Sequence, residues 1–205
     1  MWFYYFCKFF AMIFYWIFYP HKIYGKENMP KKGNFIMVCN HFAKVDILVL
    51  SALFKRRPYF LAKKELMNGK ITGKIFRRYG LIPIDREKAD FAAMKECFSV
   101  LKKGENLVIF IEGTRNKEND ELQQVKGGAS MIAFKAGVPI LPVMMHSRFK
   151  MFRKNYAIIG KPFDFSAHAG EKLNAELTET LTEEVKDRML VCQSDLDERL
   201  RKKKK

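Results

Sequence analysis

At 205 residues the chain is long enough for one α/β domain with a real core and too short for two ordinary domains and a linker. Its net charge of +16 is uneven: residues 164–198 hold ten acidic against three basic side chains, residues 199–205 add +6, and residues 1–163 are left with +17. So basic a body suits nucleic acid, an anionic membrane or an anionic substrate, but no zinc-ligand spacing, basic zipper or aromatic RNA-binding signature is present, and nucleic acid is not expected as a partner.

Residues 1–19 contain a single charge, Lys8, and a dense run of aromatic rings before Pro20. As a helix this run extends about 28 Å, near the thickness of a bilayer core. It has no small-residue cleavage site and its charge lies inside the apolar run, so a secretion signal is not expected. Trp2, Tyr4, Tyr5, Tyr15, Trp16 and Tyr19 suit the headgroup layer, where amphipathic rings prefer to sit. Three placements are open: a helix lying in the interface, a spanning anchor, or a helix packed wholly on the protein core. The expectation is a membrane-associating helix over residues 1–20 and one domain over 21–205, held at the cytoplasmic face because basic residues follow from His21 to Lys32.

Pro20 to Gly33 is rich in Lys, Pro and Gly and reads as a connecting loop. Asn34 to Cys39 reads as a buried strand, and Asp46 to Phe54 as a helix with acid near its N-terminus. Between them lies Asn40-His41-Phe42-Ala43-Lys44-Val45-Asp46. In one continuous helix His41 and Asp46 would stand roughly 140° apart and could not touch. They meet if His41 is in the turn and Asp46 in the first helical turn beyond it. His41 would then sit at the C-terminal end of a strand, where open α/β sheets place their chemistry. A carboxylate on one imidazole nitrogen leaves the other free to accept a proton. Taken alone, the pair has a competing reading as a surface histidine near a chance aspartate.

Further strands are expected at Tyr59–Ala62, Leu81–Ile84, Leu107–Glu112, Ile140–Met145 and Tyr156–Gly160, with helices between them. That order predicts a single α/β domain, its mixed and mostly parallel sheet flanked by helices. Glu87 to Lys103 has helical spacing, with Phe91, Met94, Phe98 and Leu101 on one side, and stops at Gly104. Lys126-Gly127-Gly128 precedes a helix through Ala136; it reads either as a phosphate-approaching turn or as a plain helix start. Apolar residues at 173, 177, 181, 185, 189, 192, 196 and 200 mark a long amphipathic helix expected to pack on the domain. Cys7, Cys39, Cys97 and Cys192 are scattered, which argues against a zinc site or disulfide framework and for a reducing compartment.

Two more strand-like runs end in clustered charge: Gly80-Leu81-Ile82-Pro83-Ile84-Asp85-Arg86 and Phe110-Ile111-Glu112-Gly113-Thr114-Arg115-Asn116. With the His41 run, and with Gly137-Val138-Pro139-Ile140-Leu141-Pro142-Val143 as a fourth block, the chain resembles the glycerolipid acyltransferases, specifically the 1-acylglycerol-3-phosphate acyltransferases. The resemblance runs from about Gly25 to Pro162, and four ordered blocks are far more specific than any one. Ala43 stands where family members often carry Ser, and Ile111 where they often carry Pro.

The resemblance implies a fatty acyl transfer from acyl-CoA or acyl-carrier protein to the sn-2 hydroxyl of lysophosphatidic acid, giving phosphatidic acid in phospholipid biosynthesis. His41 is expected as general base on the acceptor hydroxyl and Asp46 as its orienting carboxylate. Arg86 and Arg115 are expected to grip the acceptor's phosphate through bidentate guanidinium contacts, with Lys126 beside them. Glu112 is expected to orient Arg115 or an acceptor hydroxyl, Gly113 to let the backbone turn close to the ligand, and Thr114 to donate a hydrogen bond. Backbone N–H groups after His41 are candidates for the oxyanion site. No metal or cofactor is expected, and membrane lipids are the expected partner. The alternatives are transfer to another lyso-acceptor, such as glycerol 3-phosphate or a lyso-ornithine lipid, and a catalytically silent lipid-binding protein.

Overall fold

The structure, a computed structural model, describes residues 2–86 and 90–203. Among these, seven strands form one sheet: β1 (His21–Tyr24), β2 (Ile36–Cys39), β3 (Tyr59–Lys63), β4 (Leu81–Ile84), β5 (Leu107–Phe110), β6 (Ile140–Met145) and β7 (Asn155–Ile159). Their order is β1-β7-β6-β2-β5-β3-β4. β2 to β6 all run parallel, while β7 is antiparallel to β6 and carries β1 parallel to itself. The mostly parallel, helix-flanked α/β domain expected from the sequence is the one observed.

Helices cover both faces, as the uninterrupted apolar character of β2, β5 and β6 requires. α1 (Trp2–Phe18), α2 (Asp46–Ala52) and α3 (Lys70–Arg78) lie on one side; α4 (Phe91–Lys102), α5 (Gly128–Ala136) and α6 (Ala175–Lys202) lie on the other. Alternation along β2 sends Met37 and Cys39 to the first face and Ile36 and Val38 to the second. The stripe along α6 packs as expected, with Leu177, Leu181, Val185, Met189, Cys192 and Leu196 buried.

Three expectations are corrected. The segment 20–33 is not only a loop, because its residues 21–24 pair with β7 from more than 130 positions away, a partnership no local pattern reveals. Gly25 ends that strand at φ 69°, and a Cβ there would stand 2.1 Å from the Ile159 carbonyl oxygen. The helix read as starting at Glu87 is seen from Phe91, capped by Asp90 accepting from Ala93 N at 2.9 Å; residues 87–89 lie outside the described residues. Its buried face is Ala93, Cys97, Val100 and Leu101, and Phe91 is 77% exposed.

α1 is two-faced. Tyr4 and Tyr15 are buried against the body, and Lys8 donates to the Phe54 carbonyl at 2.6 Å, just past the end of α2, where unsatisfied carbonyls favour a cation. Burial lowers the Lys8 pKa. The other face leaves Phe6, Phe9, Phe10, Ile13, Phe14, Trp16 and Ile17 exposed. The helix is therefore not packed wholly on the core. Among the described residues no helix is long and apolar enough to cross a membrane.

Candidate active site

Because β2, β5, β3 and β4 run parallel, their C-terminal ends open on one rim, and three of the motif blocks emerge there. β2 ends at Cys39, whose wholly buried thiol is pushed well above its ordinary pKa by burial and by the nearby Asp46 and Glu112. That makes it inert as a nucleophile. Where the ladder stops, the Asn40 side chain continues it: Nδ2 donates to Met145 O and Oδ1 accepts from Met145 N, both at 2.9 Å.

The chain leaves the sheet at His41 and re-enters regular structure at Asp46. Asp46 is wholly buried, and its Oδ2 accepts from His41 Nδ1 at 2.8 Å, Phe42 N at 2.7 Å and Ala43 N at 2.8 Å. The turn-then-helix arrangement thus brings the two residues together. A carboxylate only accepts, so Nδ1 carries the hydrogen and Nε2 keeps the free lone pair. The Phe110 ring stacks on the imidazole at 3.8 Å between centroids, 16° between planes. The histidine side chain keeps 11% of its surface exposed, enough to present one ring edge. Of the backbone N–H groups after His41 that are candidates for the oxyanion site, those of Phe42 and Ala43 are already bound to Asp46.

Glu112 also departs from expectation. Only 2% exposed, it accepts from His41 N at 3.0 Å and from Gln123 N at 3.1 Å, so both oxygens hold backbone rather than Arg115. Burial raises its pKa against the pull of these two bonds. Asn116, 1% exposed, donates its backbone N–H to His41 O at 2.7 Å, and its Oδ1 gathers Glu118 N, Asn119 N and Gln123 Nε2. Neither Asn40 nor Asn116 stands out in the sequence, since asparagine near a strand end reads as an ordinary turn residue. Their only signal is position, directly beside His41 and directly after Arg115.

Arg86 and Arg115 are exposed, and among the described residues neither makes an ion pair or hydrogen bond. The acids beside them are engaged elsewhere: Asp85 takes Lys64 at 2.6 Å, and Glu112 takes backbone. Although Arg86 is exposed to solvent, desolvation by surrounding atoms lowers its pKa, opposed by Glu65 and reinforced by the like charge of Arg115. Arg86, Gly113 and Lys126 border one cavity of about 250 Å³ walled by apolar side chains of both strands and helices, among them Leu61, Ile84, Met94, Ile111 and Ile132. Gly113 sits at φ 66°, and a Cβ there would meet Lys126 Cδ at 2.8 Å, so the lysine stem lies directly across the glycine. Thr114 is exposed beside them. Phe110 lines the cavity and also stacks on His41.

A doubly covered, mainly parallel sheet with an oriented histidine at its carboxyl rim, and with cations and an apolar cavity at the ends of neighbouring strands, defines an α/β enzyme suited to an anionic substrate with an apolar part. The acyltransferase family profile matches residues 21–146, more than half of the chain, and the chain belongs to that family. It is 32% identical over 175 residues to the 1-acyl-sn-glycerol-3-phosphate acyltransferase of Bacillus subtilis, covering 81% of this chain and 86% of that protein. The enzyme of the same name from Borreliella burgdorferi is 35% identical over 133 residues, covering 64% of this chain and 53% of the relative. The fold matches the crystal structure of the 1-acyl-sn-glycerophosphate acyltransferase PlsC from Thermotoga maritima with a TM-score of 0.66 at 29% identity, covering 93% of this chain and 77% of that one.

Proposed function

We propose that the chain acylates the sn-2 hydroxyl of lysophosphatidic acid from a thioester donor, acyl-CoA or acyl-carrier protein. The observation that carries this reading is the shared rim: His41 Nε2 is free, Nδ1 is fixed by Asp46, Arg86 and Lys126 border an apolar cavity that Phe110 also lines, and Arg115 follows two residues after Gly113 of the same border. Nε2 takes the hydroxyl proton as the oxygen attacks the thioester carbonyl. The new C–O bond forms, the C–S bond breaks, and the imidazolium returns its proton to the leaving thiolate. Asp46 stabilises the cation in between. The phosphate is held by Arg115, which follows the strand next to β2. Arg86 begins three strand spacings from β2, roughly 14 Å, so only its long side chain serves the same phosphate. Gly113 lets Lys126 lie close, and Thr114 offers a hydroxyl at the same edge.

α1 supports action at a membrane. Its exposed ring-rich face, opposite a face fastened to the body, is the arrangement of a helix lying in the interface rather than across it. On this reading the acceptor, a lipid, comes within reach of the rim.

The test is release of free thiol from acyl-CoA, with and without lysophosphatidic acid. His41→Ala is expected to lower kcat about 10²–10⁴-fold with the fold intact. Near-normal turnover by that variant would remove the base. Acceptor-independent binding of lipid with no thiol released by the wild type would instead establish a silent binding protein.

A further inference from the structure

The loop that joins β6 to β7 begins on the same rim as His41, because β6 runs parallel to β2 beside it. From residue 148 to 154 it reads Arg-Phe-Lys-Met-Phe-Arg-Lys, with four cations and no acid. Met151 and Phe152 are 42% and 68% exposed. Phe152 has φ 56°, the one non-glycine residue in that region among those described. A bulky side chain rarely occupies that conformation, so the loop holds this ring out against a local preference.

The turn is built rather than slack. Asn155, buried, accepts from Lys150 N at 2.7 Å and donates through Nδ2 to the carbonyls of Lys150, Arg153 and Pro20. Phe149 is buried beneath it. The Phe152 N–H donates to Phe18 O at 2.7 Å, at the end of α1, and the two rings meet at 5.3 Å. Phe18, half-buried, in turn contacts Phe14 at 4.5 Å, so ring contacts run from the exposed Phe14 of α1 through Phe18 to the exposed Phe152.

We propose that this turn is a second membrane-contact element, which inserts Phe152 and Met151 beside the exposed face of α1 while Arg148, Lys150, Arg153 and Lys154 meet anionic headgroups. It rests on the reading of α1 as an interfacial helix. A helix alone fixes depth but leaves the body free to roll about the helix axis. A rigid apolar tip at its end, on the catalytic rim, removes that freedom and points the site toward the bilayer. Apolar residues ringed by cations and free of acids match an anionic lipid surface, where each basic side chain near the surface adds to binding.

The test is partition of the full chain onto vesicles of phosphatidylcholine with phosphatidylglycerol, and of phosphatidylcholine alone. Phe152→Gly suits the positive φ and is expected to fold with an unchanged or higher melting temperature while partition falls about tenfold. Lys150→Gln with Arg153→Gln is expected to weaken binding by more than tenfold on the anionic vesicles only. Phe9→Ser with Phe10→Ser tests α1 independently. If that pair reduces binding and Phe152→Gly does not, the turn is no membrane element and the α1 reading stands; if neither does, both fall. Loss of self-association by Phe152→Gly, with vesicle binding unchanged, would assign the ring to a second copy of the chain and overturn the proposal.

Discussion

Replacing Asp46 by Asn separates orientation of His41 from stabilisation of its cation. The amide oxygen can occupy the place of Oδ2 and still accept from His41 Nδ1, Phe42 N and Ala43 N, so the tautomer and the turn survive. The amide nitrogen then falls where Oδ1 lies, buried and without a partner. Leaving that group unsatisfied costs about 1–3 kcal/mol, partly offset because a buried charge has been removed. The rate has no such compensation. Two unit charges about 4 Å apart attract by about 4 kcal/mol at an effective dielectric of about 20, and in the proposed mechanism the imidazolium exists only on the way through the transition state. At 1.36 kcal/mol per decade this is roughly a 10³-fold fall in kcat, with the acceptor KM little changed. Thiol release under saturating acceptor measures it. The double variant with His41→Ala should be no slower than His41→Ala alone, because Asp46 acts through the ring. Turnover by Asp46→Asn within tenfold of the wild type, or multiplied losses in the double variant, would refute the reasoning.

Gly113→Ala puts a Cβ into a left-handed residue and against the Lys126 stem. The backbone strain of about 1–2 kcal/mol should lower the melting temperature by roughly 2–8 °C for a chain of this size. The displaced ammonium should raise the KM for the phosphorylated acceptor more than for the donor; an unchanged acceptor KM would take Lys126 out of the phosphate site. Tyr15→Phe deletes a hydroxyl that is buried without a partner among the described residues. It is expected to stabilise the protein by about 1 kcal/mol, read as a rise of roughly 2–4 °C, with kcat unchanged. A lower melting temperature or slower turnover would show that the phenol serves Asp46, whose charge already raises the Tyr15 pKa after burial.

Most of the sheet is legible in the sequence because a parallel strand buried on both faces leaves a short unbroken apolar run, as at Ile36–Cys39 and Leu107–Phe110. His41 and Asp46 are legible for a different reason: the boundary between strand and helix falls between them, and only a turn there lets them touch. What stays hidden depends on contacts between distant segments. β1 is four residues with two basic or imidazole side chains, and only its partner β7 makes it a strand. Glu112 looks like a substrate-facing acid beside Arg115, yet the chain turns at once after Phe110, with Gly113 N donating to Phe110 O, and this swings the carboxylate inward toward His41 N. Phe91 matches the apolar spacing of α4 but lies in the first turn beyond the reach of the sheet.

The inward turn of Glu112 bears on why three motif blocks end in polar residues. A parallel sheet stops supplying hydrogen bonds where its strands end, and a site on that rim would rest on loose backbone unless side chains replaced the ladder. Here they do so in series. Asn40 fastens β2 to β6, Glu112 fastens His41 N to the segment carrying Gln123, Asn116 fastens His41 O to that same segment, and Asp46 closes the turn from the other side. The backbone N–H and C=O of His41 are thus held by two residues from the Glu-Gly-Thr-Arg-Asn run. The backbone of Arg115, between those two residues, is thereby held near the imidazole, as the proposed base and phosphate clamp acting on one acceptor require. On this account Asn116→Ala, which touches no proposed substrate atom, lowers kcat and raises the acceptor KM together, whereas a residue that only bound phosphate would move KM alone. An Asn116→Ala variant with normal kcat and a raised acceptor KM would show that the loop and the histidine are not coupled.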